Sequence, residues 1–180
     1  MRKIIGVAGN ANSGKDTLAD YIIANKNNSF VKHAFAKPIK DIMIKHLGFT
    51  YLQCYDQKYK QMEDDFWGMT PRDVMLLIGT KMFRENWRYD FWVKLMEKKI
   101  IDNQEQNIII SDVRFPNEAE MIKSHGGKII VVERPNNPIK VNHVSEQGLP
   151  NELVDYTIVN DSSIEDYYKK IENELKEFYS

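Results

Sequence analysis

One cysteine in 180 residues, Cys54, excludes an internal disulfide, and no Cys/His spacing of the metal-binding kind occurs. Both absences fit a reducing compartment. No apolar run approaches the roughly 20 residues that a bilayer-spanning helix requires. The run in "MRKIIGVAGNANSGKD" is also too short for a secretory signal, so the expected location is the cytoplasm and no membrane partner is expected. Net charge is nearly absent, with 25 Lys and Arg against 26 Asp and Glu. That balance gives no bulk attraction to nucleic acid, and no basic stripe supplies a local one. Repeats and low-complexity segments are missing. So are a Ser-His-Asp or Cys-His constellation and a guanine-reading N-K-x-D, since Asn25-Lys26 is followed by two asparagines.

What remains is an ordinary globular composition, 42% apolar and 28% charged, long enough for one domain with a real core. Short apolar runs predict buried strands over 3–8, 30–36, 107–111, 128–133 and 156–160. Between them, apolar spacing and stop signals predict helices over 15–25, from Pro38 to Leu47, from a Thr70 cap to about Trp87, and over 90–102. Two more run from Pro116 to Gly126-Gly127 and from a Ser163 cap to about Phe178. Strand–helix alternation implies an α/β fold, a parallel sheet with helices on both faces. Its core would be 1–36 and 104–180, interrupted by a helical insertion over about 37–103 that covers one edge. Residues 48–69 show no period and are expected to be a mobile, aromatic-rich stretch. Phe66, Trp67, Trp87 and Trp92, with Met69, Met75 and Met82, read as core packing. His33, His46, His125 and His143 have no spacing that argues for catalysis.

The segment "GNANSGKDTLAD" carries the chemistry. Gly9, Gly14 and Lys15 fit G-x-x-x-x-G-K between a strand and a helix, the frame of a phosphate-binding loop. Its backbone, with Asn12 and Ser13, would turn N–H groups toward an anion at the helix N-terminus. Lys15 would reach the terminal phosphates of ATP, and Thr17 an α-phosphate. Asp16 stands where a Ser or Thr hydroxyl is usual. A carboxylate there repels phosphate unless a divalent cation lies between them, so it reads either as a Mg²⁺ ligand or as a first-turn acid stabilising the helix. Asp112, after the apolar run 108–110 and Ser111, is the second candidate at the metal. Arg114 would point into the same crevice, or pair with Glu118.

Beyond the loop, "KPIKD", "RDVMLLIGT" followed by "FWVK", "SDVRFPNEAE" and "HVSEQGLP" before "VDYTIVND" occur in an order and spacing that resemble the bacteriophage deoxynucleoside monophosphate kinases. "GKDT" is usual there. The resemblance implies an adenylate-kinase-like P-loop fold that moves the γ-phosphoryl of ATP to a deoxynucleoside monophosphate (dNMP), with Mg²⁺ as cofactor and the host cytoplasm as location. It implies Lys40, Arg72, Thr80 and Trp92 at the acceptor, with Arg114 and Glu118 between donor and acceptor. The loop 134–150 stands where such kinases carry a closing lid, with Arg134 on the ATP side, but it departs from their pattern in being poor in arginine, with only Arg134, Lys140 and His143 available as phosphate contacts. Arg72, Arg84, Arg88 and Arg114 stay open as the group meeting transition-state charge, and monomer and homodimer both stay open. A kinase for another phosphorylated acceptor, of the dephospho-coenzyme A kind, and a P-loop ATPase are the alternatives.

Overall fold

The computed structural model describes residues 2–25, 30–103, 106–135 and 148–176. These form two compact units, Met1–Ala34 with Glu97–Ser180, and Phe35–Met96.

In the first unit every residue of β1 (Ile4–Ala8) is buried, the pattern of a strand covered on both faces. It is the central strand of an all-parallel sheet with β2 (Phe30–His33), β3 (Asn107–Val113), β4 (Lys128–Glu133) and β5 (Tyr156–Val159), in the order β2-β3-β1-β4-β5. Register is set by Ile4 opposite Ile108 and Ile5 opposite Lys128. Helices α1 (Lys15–Asn25) and α7 (Ile164–Glu174) cover one face, burying Leu18, Ile22, Tyr167 and Ile171 against Ile109 and Ile130. Burial of each such side chain contributes about 1.5–3 kcal/mol. Helix α6 (Pro116–Ser124) covers the other face. There a Cβ on Gly6 would meet the ends of the Ile122 and Ile129 side chains at 2.8 and 2.7 Å, so any larger residue would make them shift. Connections leave β1 toward β2 and β4 toward β5. Divergence of this kind opens a crevice at the carboxyl ends of the strands.

The expected elements are present with shifted ends. β2 stops at His33 rather than residue 36, and β3 continues past Ser111 to Val113. Ser163 caps α7 through the Asp166 N–H, and the expected helix end near 178 lies outside the described residues.

The second unit holds α2 (Lys37–His46), α3 (Tyr51–Tyr55), α4 (Pro71–Leu76) and the first half of α5 (Phe91–Asp102). The stretch 48–69 carries more order than its sequence suggests. Thr50 and Gln53 cap α3 reciprocally, a 3₁₀ turn spans Tyr59–Gln61, and Asp64 bridges Met69. Elements this short are fixed by local hydrogen bonds and leave no hydrophobic period to read. Thr70 caps α4 as expected, but from Leu77 to Glu85 the helix is π-helical. The i→i+5 ladder takes more residues per turn, so side chains drift off the face that a 3.6 period assigns them. Met82 is accordingly exposed rather than packed. Phe66, Trp67 and Trp87 are exposed as well, and of the four aromatics read as core only Trp92 is buried. Cys54 is a fully buried, packed thiol. Among the described residues no helix is long and apolar enough to cross a membrane.

Candidate active site

The loop between β1 and α1 turns through Gly9 (φ 140°), Asn12 (φ 59°) and Gly14 (φ 105°). A Cβ on Gly9 would run into the Val132 carbonyl oxygen, and one on Gly14 would lie 2.6 Å from Asn160 Nδ2. The backbone therefore needs glycine at both positions. Protein contacts hold the loop from behind. Asn160 donates to the Ser13 carbonyl (2.9 Å), the Tyr167 hydroxyl to the Gly14 carbonyl (3.2 Å), and Arg134 to the Asn12 carbonyl (3.2 Å). Lys15 is only 9% exposed and donates to the Asn10 carbonyl within the loop. Asn160 and Tyr167 carry no phosphate-loop signature, and the sequence signals neither. Only the packing of β5 and α7 beside the loop reveals them.

Asp16 is where the structure adds most. Its carboxylate is held by Lys32 at 2.9 Å, and the same ammonium reaches Asp20 at 2.9 Å. The Ser111 hydroxyl is its other hydrogen-bond partner. Desolvation alone would raise the Asp16 pKa. The Lys32 hydrogen bond and charge, the Lys15 charge and Ser111 together outweigh it and hold the carboxyl below the usual range. Sequence reading missed Lys32 and Ser111; the one available signal was a serine inside an otherwise apolar strand.

Asp112 sits at an irregularity in β3. Gly6 pairs with Ile110 but Ala8 pairs with Val113, so three residues of β3 face two of β1. Ile109 packs on the α1 side, whereas Val113 meets Gly6 on the α6 side. In regular alternation they would share a face, and the extra residue reverses it. Ser111 stays with Asp16, while half-buried Asp112 falls at the bulge.

Glu118 turns inward, 2% exposed, and its Oε2 accepts the N–H groups of Arg114 (2.8 Å) and Phe115 (3.2 Å). This is a helix-capping role that fixes the Arg114 backbone. Arg114 and Arg134 line a crevice of about 440 Å³ with Ala8, Gly9, Val132 and Glu133, at the carboxyl ends of β1, β3 and β4. Among the described residues, three side chains of this unit keep buried polar atoms without a hydrogen-bond partner: Ser13 Oγ, His33 Nε2 and both carboxamide atoms of Asn117. They belong to the loop, the end of β2 and the first turn of α6, all toward the carboxyl edge. Buried polar groups are rarely left unmatched unless a ligand or water meets them.

In the second unit, Lys40 on α2 lies 3.8 Å above the Tyr55 ring centroid, and Arg72 is half-exposed in the first turn of α4. Half-exposed Thr80 sits in the π-helical stretch. Trp92 is buried and donates its indole N–H to the carbonyl of Gly79 (2.8 Å), the residue before Thr80. Its one polar atom is engaged there, so Trp92 braces Thr80's backbone. Arg84 is buried, and Arg88 is clamped by both Asp90 oxygens (2.6 and 3.0 Å). The lid expected over 134–150, including Lys140 and His143, lies outside the described residues between 136 and 147.

Among the described residues no three His, Cys, Asp or Glu side chains converge as a metal cage. The Asp16 carboxylate beside the Ser111 hydroxyl is still a fitting donor set for Mg²⁺. That ion keeps several waters and takes most remaining ligands from phosphate oxygens.

The family model for deoxynucleotide monophosphate kinases matches residues 3–70 and 49–171. A protein of Acanthamoeba polyphaga mimivirus, provisionally named a deoxynucleotide monophosphate kinase, is 32% identical over 93% of both chains. The deoxynucleotide monophosphate kinase of Enterobacteria phage T4 is 26% identical over 97% of this chain and 99% of its own. Among solved structures, a dephospho-CoA kinase from Campylobacter jejuni superposes over 99% of this chain and 98% of its own, with TM-score 0.54 and 15% identity, a likeness of fold. A braced phosphate loop at the switch point of a parallel sheet and a match over nearly the whole chain lead to one conclusion: the chain belongs to the deoxynucleotide monophosphate kinase family.

Proposed function

We propose that the protein transfers the γ-phosphoryl group of ATP to a deoxynucleoside 5′-monophosphate, giving the diphosphate and ADP, in the cytoplasm of the cell where it is made. The observation that carries this reading is the family match across both the phosphate-loop unit and the helical unit. The dephospho-CoA kinase shares the sheet architecture but not the sequence, so it does not favour that acceptor.

The acceptor phosphate is largely dianionic at neutral pH, its second pKa lying near about 6, and needs no general base. Catalysis reduces to in-line placement and charge neutralisation. The loop N–H groups of residues 9–14 and Lys15 would hold the β- and γ-phosphates, with Thr17 at the α-phosphate and Arg134 at the loop's rim. Asp16 and Asp112 are the residues that would hold Mg²⁺, which would supply neutralisation of the charge on the β- and γ-phosphates. Arg72 and Arg114 are the arginines we assign to the moving phosphoryl group, because Arg88 is clamped by Asp90 and Arg84 is buried. Lys40 would meet the acceptor phosphate and Thr80 would line its pocket, with Trp92 bracing the Thr80 backbone and Glu118 fixing that of Arg114.

The test is ADP release from Mg-ATP with each of the four dNMPs, their ribose counterparts, dephospho-CoA and no acceptor. Turnover stimulated by a dNMP is expected. Release that is equal without any acceptor would make the protein an ATPase and refute the reading.

A further inference from the structure

Asp16 and Asp20 lie one turn apart on the same face of α1, a like-charge pair that destabilises a helix unless something bridges it. Asp16 also brings a negative charge to a loop whose purpose is to hold a polyanion. Both problems meet at one atom. Lys32 Nζ, on β2, lies 2.9 Å from an oxygen of each carboxylate. Strand β2 puts it there: Lys32 pairs with Ile109, whose side chain faces α1, so the Lys32 side chain points to the same helix. The lysine side chain is 32% exposed and the Asp16 side chain 75%. A cation or phosphate therefore reaches Asp16 from solvent, while Lys32 approaches from the sheet.

Resting on the nucleotide-site reading above, we infer that Lys32 is a positioning residue that serves as the built-in counter-charge of Asp16, so that a carboxylate can stand in the phosphate loop before any metal arrives. Asp20 is its second anchor. When Asp16 turns to a cation carried in with the nucleotide, Lys32 keeps a partner in Asp20 and stays beside the site. Lys15 and Lys32 together then offset Asp16 and Asp20, and the field at the phosphates is governed by the loop's N–H groups rather than by an uncompensated carboxylate.

A counter-charge behaves differently from a lysine that simply packs or binds phosphate itself. The measurement is calorimetric titration of ATP into the full chain, in EDTA and again in excess Mg²⁺. Lys32→Met should weaken metal-free ATP binding on the order of tenfold, the effect of one unscreened charge near the phosphates, and weaken Mg-ATP binding distinctly less. Lys32→Arg should restore most of the loss. Removing the charge that Lys32 answers, in Lys32→Met/Asp16→Asn, should return metal-free affinity to within about threefold of wild type. Asp16→Asn alone should bind metal-free ATP at least as tightly as wild type, which keeps the test decisive even if Lys32→Met folds poorly. Equal metal-free affinities for wild type and Lys32→Met would overturn the inference. So would a double variant as weak as Lys32→Met, since that outcome makes Lys32 a direct phosphate ligand or a packing residue. Wild type that binds no ATP even with Mg²⁺ would overturn the nucleotide-site reading itself.

Discussion

Lys15 and Asp16 are neighbours of opposite charge, and the partners that make each usable come from elsewhere in the chain. Lys15 rests on the Asn10 carbonyl inside its own loop; Asp16 rests on Lys32 of β2 and Ser111 of β3. Lys15→Ala should lower phosphoryl transfer on the order of 10³-fold, as expected for a donor aimed at developing charge. Stability should fall by about 1–2 kcal/mol as the contact to the Asn10 carbonyl is lost. Transfer assays beside denaturant unfolding measure both, and near-normal turnover would remove Lys15 from the mechanism. Gly9, Gly14 and Lys15 could be read from sequence because their spacing is itself the structural requirement. Lys32, Ser111, Asn160 and Tyr167 could not, because sheet register and helix packing bring them to the loop, and neither is written in a local pattern. Trp92 and Glu118 were expected at the acceptor, and the sequence did not show that packing and capping engage their polar atoms.

At the level of elements, α7 acts on the loop through one hydroxyl. Burial raises the Tyr167 pKa well above that of an ordinary phenol, so it stays protonated and donates to the Gly14 carbonyl. Tyr167→Phe keeps the ring in the core and should cost about 0.5–1.5 kcal/mol of stability, together with a several-fold loss of ATP affinity. Unchanged ATP affinity would show that α7 supports the sheet and not the loop. A second clamp holds β4, β5 and α6 together. Asp155, its side chain 14% exposed, accepts hydrogen bonds from the Ile129 N–H and from Lys123 (both 2.9 Å) and Lys128 (3.1 Å). Desolvation would raise its pKa, but these three partners outweigh that and hold it below the usual value. A depressed carboxylate stabilises the fold above its unfolded pKa of about 3.9, and that stability disappears as pH falls through the folded value. Asp155→Asn should therefore be about 1–3 kcal/mol less stable at pH 7, with the gap closing below about pH 4. Urea unfolding across that range tests the sign. A gap that widens on acidification would contradict it. Elements marked by an apolar run or a single period, such as α1 and the strands β1–β5, were readable end to end within a few residues. The π-helical stretch Leu77–Glu85 was not, because its extra residue per turn changes the period without changing the composition.

For the whole molecule, the alternation of strands and helices was enough to give a parallel sheet with helices on both faces, and the observed order β2-β3-β1-β4-β5 places the loop at its switch point. The helical unit Phe35–Met96 was visible mainly as an interruption of that alternation. Its short capped turns left most of its interior unread. The residues proposed for the acceptor, Lys40, Arg72, Thr80 and Trp92, all belong to this unit, and acceptor choice is proposed to rest there. Arg72→Ala should lower kcat and raise KM for the acceptor, each about tenfold or more, while ATP affinity stays within about twofold, a split read from steady-state kinetics. Equal effects on both substrates would detach Arg72 from the acceptor. The most direct measurement of the central claim follows the phosphoryl group itself. ATP labelled at the γ-phosphate is mixed with Mg²⁺ and each dNMP, and the products are separated. Label is expected in a deoxynucleoside diphosphate, formed one for one with ADP and absent with Lys15→Ala. Label appearing only as inorganic phosphate, whatever acceptor is present, would contradict it.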